Sequence, residues 1–117
     1  MSFDFTKYHT FNKRKAVTTK ISEIYSDRIA VIIERLDDKT PTIPKTKYLV
    51  PRNSSFDNFS CNVRKYNTMI DSQRGIFFFV NGTTLIPNNA EMATIYNKYK
   101  NEDGFLYLTY ALENTYG

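Results

Sequence analysis

The chain has 117 residues, a formal charge of +4, 41% apolar residues and 15% aromatic ones. That length and apolar share fit one domain around one core, and exclude a disordered chain. A single cysteine, Cys61, excludes an internal disulfide, and no apolar run approaches a bilayer span, so a reducing, cytosolic setting is expected.

The N-terminus, Met1-Ser2-Phe3-Asp4-Phe5, lacks the apolar centre of a signal peptide. Sequons at Asn53, Asn58 and Asn81 are therefore read as chance. Asp4 to Tyr8 fits a short helical turn. Phe11 to Tyr25 is a clearer helix, because Val17, Ile21, Ile24 and Tyr25 fall at i, i+4, i+7 and i+8. Thr10 or Asn12 can cap its start. Lys13, Arg14, Lys15 and Lys20 lie mostly off that stripe. They form either a solvated face or a patch for anionic lipid, nucleic acid or acidic protein.

Ile29 to Ile33 is a nearly continuous β-branched run, which reads as a buried strand. Asp37 to Pro44 is a polar connection. Lys47-Tyr48-Leu49-Val50-Pro51 is a second strand, and the closing proline suits a sheet edge. Ser54 and Ser55 look like caps for a helix with Phe56, Phe59, Val63 and Tyr66 on one stripe. Ile76 to Val80 is a third strand, followed by the tight-turn pair Asn81-Gly82. Asn88 or Asn89 is expected to cap a helix striped by Met92, Ile95, Tyr96 and Tyr99. Asp103-Gly104 breaks that helix, and Phe105 to Ala111 is the fourth strand. Four strands and a crossing helix suggest one mixed sheet with helices against it.

No catalytic set stands out. The one histidine, His9, lies near the N-terminus, and Cys61 falls on a predicted helix, so a Cys/His pair is not expected. One Cys and one His cannot make a zinc site. No phosphate-binding glycine loop occurs, and Asp37-Asp38 and Glu102-Asp103 fall in predicted loops. The chain therefore reads as a protein that others bind or act on, not as an enzyme. The final residue, Gly117, has no Cβ, so an enzyme can grip the chain closely around it.

The motifs recur in a recognisable order. They include Tyr25-x-Asp27-Arg28-Ile29, Lys47-Tyr48-Leu49-Val50-Pro51, Val63-Arg64-Lys65 and Ile76-Phe77-Phe78-Phe79-Val80-Asn81. Asp103-Gly104-Phe105-Leu106-Tyr107 and Glu113-Asn114-Thr115-Tyr116-Gly117 follow. The series resembles the autophagy ubiquitin-like modifiers of the GABARAP and microtubule-associated light-chain family, along almost the whole chain.

The resemblance implies an α+β, ubiquitin-like β-grasp: a four-stranded mixed sheet with a crossing helix, plus two N-terminal helices. Residues 1–26 would be the helical extension, 27–111 the β-grasp body and 112–117 a flexible conjugation tail. It further implies a conjugation cycle. A cysteine protease exposes Gly117 where residues follow it. An activating enzyme adenylates the glycine and takes it as a thioester, and a conjugating enzyme passes it to phosphatidylethanolamine. The modifier then sits on the forming autophagosome membrane until the protease releases it; otherwise it is cytoplasmic and monomeric. Each acyl CH₂ contributes roughly 0.8 kcal/mol on burial, so two acyl chains anchor a domain that has no apolar segment of its own.

The resemblance also implies a groove for aromatic-x-x-aliphatic peptides of cargo receptors, which add a strand to the sheet edge. Ile21, Ala30, Lys47, Leu49 and Phe105 would form the aromatic pocket. Tyr48, Val50, Pro51 and Phe59 would form the aliphatic pocket. Arg28, Lys45 and Lys47 would meet acidic neighbours in the peptide. Read without the resemblance, Ile21, Leu49 and Phe59 are simply core. Phe77 and Phe79 match positions linked to processing and conjugation, and strand packing is the competing reading. Lys13 to Lys15 fall where relatives contact tubulin or membrane. No cofactor, metal or nucleic-acid partner is implied.

Four positions depart from the family pattern. Ala30 stands where relatives usually have proline, and Val17 where an acidic residue is common, which makes the first pocket more apolar. Ser54 and Asn62 stand where leucines usually widen the second pocket. Losing two such contacts costs about 2 kcal/mol or more of ligand burial, so an altered aliphatic preference is expected. The alternative function is an unconjugated β-grasp adaptor for motif peptides or microtubules.

Overall fold

An eight-residue run, Arg-Ile-Ala-Val-Ile-Ile-Glu-Arg, forms an inner strand of the sheet. In the computed structural model, which describes residues 3–68, 70 and 75–112, this run is strand β1 (Arg28–Arg35). Five consecutive residues, Ile29 to Ile33, are buried. A strand alternates its side chains between two faces, so both faces of β1 must be covered. Helices α1 (Asp4–Tyr8) and α2 (Phe11–Ile24) lie on one face. Helices α3 (Phe56–Tyr66) and α4 (Met92–Tyr99) lie on the other.

The remaining strands are β2 (Lys47–Pro51), β3 (Ile76–Val80), β4 (Thr84–Leu85) and β5 (Leu106–Leu112). The sheet order is β2-β1-β5-β3-β4. β1 runs antiparallel to β2, with Ala30 opposite Leu49, and parallel to β5, with Ile32 opposite Tyr107. β3 is antiparallel to β5 and to β4. This mixed sheet with a crossing helix is a ubiquitin-like β-grasp, and the two N-terminal helices are present as expected. Among the described residues it has five strands, not four. The fifth, β4, is two residues long and exposed, too short to show an alternation. Asn81 and Gly82, at φ 55° and 72°, form the turn that folds it back on β3. β5 runs one residue past its expected end, to Leu112, which pairs with Ile76 and is buried.

The main core lies between the sheet and α3. Phe56, Phe59, Phe78 and Tyr48 join in a chain of ring contacts with centroids 5.2–5.7 Å apart. Such edge-on and tilted contacts stabilise beyond the area they bury. Tyr66, expected on the buried stripe of α3, is 54% exposed and instead faces Lys45. A smaller cluster on the opposite face joins Ala30, Ile32 and Phe105 with Phe3, Phe5, Ile21 and Tyr107.

Two helix expectations are corrected. Val17 and Ile24 of α2, and Tyr25 just past its end, are 48%, 60% and 48% exposed, so the apolar stripe is not the packed face. The packed face runs through Arg14, Thr18 and Ile21, also at i, i+4 and i+7. Arg14 leaves the basic cluster and pairs with the fully buried Asp103, its Nε 2.8 Å from Oδ2. Thr18 Oγ donates to the Asp103 carbonyl. A Cβ on Gly104, whose φ is +91°, would lie 2.4 Å from Thr18 Oγ, so only glycine permits this approach. The cap of α2 is Thr10, which accepts from the Lys13 N–H.

In α4 neither Asn88 nor Asn89 is the cap. The N-cap is Glu91, without a side-chain bond. The first N–H groups donate instead to tertiary carbonyls, Met92 to Ser54 at 2.9 Å and Ala93 to Arg52 at 3.0 Å. Orphan N–H groups at a helix start need acceptors, and a neighbouring loop supplies them here.

Candidate functional site

β2 lies at the sheet edge, where a strand presents its outer row of N–H and C=O groups for pairing. Its burial alternates. Lys47 and Leu49 are exposed, and Tyr48 and Val50 are buried. One strand therefore borders two environments.

On the face of Lys47 and Leu49, a cavity of about 380 Å³ opens between β2 and α2. It brings together all five residues expected for the aromatic pocket: Ile21, Ala30, Lys47, Leu49 and Phe105. Val17 stands at its α2 side, half exposed. Sequence reasoning missed several wall residues, namely Phe5, His9, Lys13, Arg14 and Ile32. For Ile32 the signal was available, since it lies two residues from Ala30 on the same strand face. For Phe5 and His9 it was not, because their place depends on how α1 folds back.

α1 is held by Glu34, whose two carboxylate oxygens accept from the N–H groups of Asp4 (2.9 Å) and Phe5 (3.1 Å). A carboxylate satisfies the open donors at a helix start and complements its dipole. The Phe5 ring then contacts Phe105 at 5.1 Å, and Phe3 contacts Tyr107 at 5.0 Å. Lys47 Nζ lies 5.1 Å from the Phe5 ring centre.

The four residues expected for the aliphatic pocket divide differently. Tyr48, Val50 and Phe59 are 7%, 4% and 1% exposed and belong to the main core, while Pro51 is half-buried. Of the two departing positions, Asn62 is exposed, and Ser54 Oγ donates to the Pro51 carbonyl at 2.7 Å. Tyr48 is tightly held: its hydroxyl donates to the Lys45 carbonyl (3.0 Å) and accepts from Asn67 Nδ2 (2.7 Å). Burial raises its pKa above the usual phenol value.

The expected cations flank the cavity unevenly. Lys45 Nζ lies 5.2 Å from the Tyr48 ring centre and 4.7 Å from that of Tyr66. Arg28 is exposed beside Asp27, Nε to Oδ1 4.0 Å, and does not line the cavity. Phe77 is 36% exposed and Phe79 half-buried, whereas Phe78 between them is in the core. The register places Phe77 opposite Ala111 and Phe79 opposite Thr109, on the sheet face away from α3. His9 and Cys61 sit on elements that cover opposite sheet faces, so they form no pair. Among the described residues, no helix is long and apolar enough to cross a membrane. Of residues 112–117, expected to form the conjugation tail, Leu112 is instead buried in β5, and 113–117, including Gly117, lie outside the described residues.

A β-grasp body with an apolar, cation-rimmed cleft beside an edge strand defines a ubiquitin-like protein. The family described as autophagy protein Atg8, ubiquitin like, matches residues 13–117. The chain belongs to that Atg8 family of autophagy ubiquitin-like proteins. It is 42% identical to autophagy-related protein 8 of Dictyostelium discoideum, over 97% of this chain and 93% of that one. Among solved structures it is similar to ATG8 of Trypanosoma brucei, with TM-score 0.88 and 32% identity over 97% of each chain. It is also similar to Plasmodium falciparum Atg8 in complex with an Atg3 peptide, with TM-score 0.80 and 32% identity over 95% of this chain and 96% of that one.

Proposed function

We propose that this chain is a modifier that is joined through Gly117 to phosphatidylethanolamine on autophagosomal membranes and recruits cargo receptors through the cleft between α2 and β2. One observation carries the reading: in an Atg8-family chain, the five residues assigned to an aromatic pocket line a single cavity beside an open strand edge. An extended peptide adds a strand to β2, its aromatic side chain enters the cavity, and its aliphatic side chain rests near Tyr48, Val50, Pro51 and Phe59. Lys45 and Lys47 face acidic residues of the peptide, and Arg28 lies farther along the same edge.

The chain supplies an acyl group and no catalytic residue. The Gly117 carboxylate is adenylated, passes to an activating-enzyme thiol and then to a conjugating enzyme as a thioester. The lipid amine attacks that carbonyl, an amide forms and the thiol leaves. Phe77 and Phe79 offer an aromatic surface to the processing protease and the conjugation enzymes. The Plasmodium falciparum relative, solved with an Atg3 peptide, supports a partner of that kind here. The protein is then cytoplasmic when free and membrane-bound when lipidated.

The test is reconstitution with activating and conjugating enzymes, ATP and liposomes containing phosphatidylethanolamine. A mass shift of one lipid that disappears in Gly117→Ala is expected. Failure of the wild-type chain to form an adduct, under conditions where a family member does, would leave only the groove-bound adaptor.

A further inference from the structure

The cavity beside β2 has a lopsided chemistry. Ala30, Ile32 and Phe105 form one apolar cluster and all line it. Four cations, Lys13, Arg14, Lys45 and Lys47, also line it, and among the described residues no aspartate or glutamate does. The α2 wall presents Val17, which is 48% exposed.

Hydrogen-bond acceptors are scarce. The neutral polar side chains in the lining are those of Tyr48 and His9. The Tyr48 hydroxyl is already engaged with the Lys45 carbonyl and Asn67. The His9 carbonyl accepts from Arg14 Nη1 at 2.7 Å. Its imidazole lies against the Phe5 ring, 4.7 Å between centroids, on the exposed outer wall.

On the groove reading given above, we propose that this cavity selects phenylalanine, over tyrosine and tryptophan, as the aromatic anchor of an acidic-flanked peptide. Phenylalanine brings no polar atom to the apolar cluster. A tyrosine hydroxyl carried onto Ala30, Ile32 and Phe105 meets no partner among those side chains. A tryptophan N–H needs an acceptor, and the charged groups around it are all N–H donors. The phenol proton and the indole N–H each give up a bond to water and gain no side-chain acceptor in return, which offsets the larger surface that indole buries. The lining cations favour acidic residues beside the anchor, not a polar atom on it.

The test uses the full chain and three fluorescent peptides. They are identical except for Phe, Tyr or Trp at the anchor, with acidic residues before it and leucine three positions after. Phenylalanine should bind at least about fivefold more tightly than tyrosine, and more tightly than tryptophan. Val17→Glu puts a carboxylate at the cavity wall and should raise the Trp-to-Phe affinity ratio about fivefold. Using the ratio cancels any change the new charge makes to the acidic flanks. Tyrosine within twofold of phenylalanine, tryptophan at least as tight as phenylalanine, or a ratio unmoved by Val17→Glu overturns the selection while leaving the groove intact. No binding by any of the three peptides overturns the groove reading, and the selection with it.

Discussion

Replacing Asp103 with asparagine tests whether one buried carboxylate holds α2, and with it one wall of the cavity, onto the sheet. Asp103 is fully buried. Its Oδ2 accepts from Arg14 Nε at 2.8 Å and from the Tyr107 hydroxyl at 2.6 Å, and its Oδ1 accepts from the Phe105 N–H at 2.9 Å. Asparagine keeps the shape but removes the charge, and turns one acceptor into a donor. Breaking a buried pair by removing one partner costs roughly 3–5 kcal/mol. Arg14 is 12% exposed and keeps the His9 carbonyl at 2.7 Å, so part of that loss is relieved. We therefore expect Asp103→Asn to cost about 2–3 kcal/mol, read by urea unfolding followed by circular dichroism. Binding of the motif peptide should weaken as well, because Val17 and Ile21 reach the cavity from α2. The double variant with Arg14→Met should be less destabilised than the two single losses added together, with a coupling of about 1.5 kcal/mol or more. A loss under about 0.5 kcal/mol for Asp103→Asn, or an additive cycle, would refute the view that the pair is structural.

Two further outcomes follow from named groups. Burial pushes the Tyr110 hydroxyl up from 10.0 to about 12, and burial together with the Asp103 carboxylate raises Tyr107. A raised pKa means the folded state keeps a proton the unfolded state releases, so stability is full below pH 10 and falls as pH rises toward 12. Unfolding titrations from pH 8 to 12 should show that fall, and Tyr110→Phe should make it shallower; an unchanged slope refutes the assignment. At the aliphatic position, changing the peptide leucine to alanine should cost little, and Asn62→Leu should restore about 1 kcal/mol of affinity. Ordinary affinity with a leucine that is already essential would contradict this, as measured by calorimetric titration.

The strands were legible because their burial leaves a local mark. Ile29 to Ile33 reads as a strand covered on both faces, and it is. Lys47 to Pro51 alternates and ends in proline, as an edge strand should. The same alternation places Leu49 and Lys47 on one side and Tyr48 and Val50 on the other, so two environments could be assigned along one strand. What stayed hidden depends on distant partners. The packed face of α2 carries two polar residues, Arg14 and Thr18, beside Ile21, and only Asp103 and Gly104, more than eighty residues from them, turn those two inward. The cap of α4 is backbone from another loop, which has no residue signature. α1 reaches the cavity because Glu34 holds its first N–H groups. Periodicity thus determined where chain segments bury apolar surface and, with the motifs, the family. Tertiary structure alone decided which polar residues turn inward and which walls the cavity has, because a buried polar group is set by its partner's position and not by its neighbours in sequence.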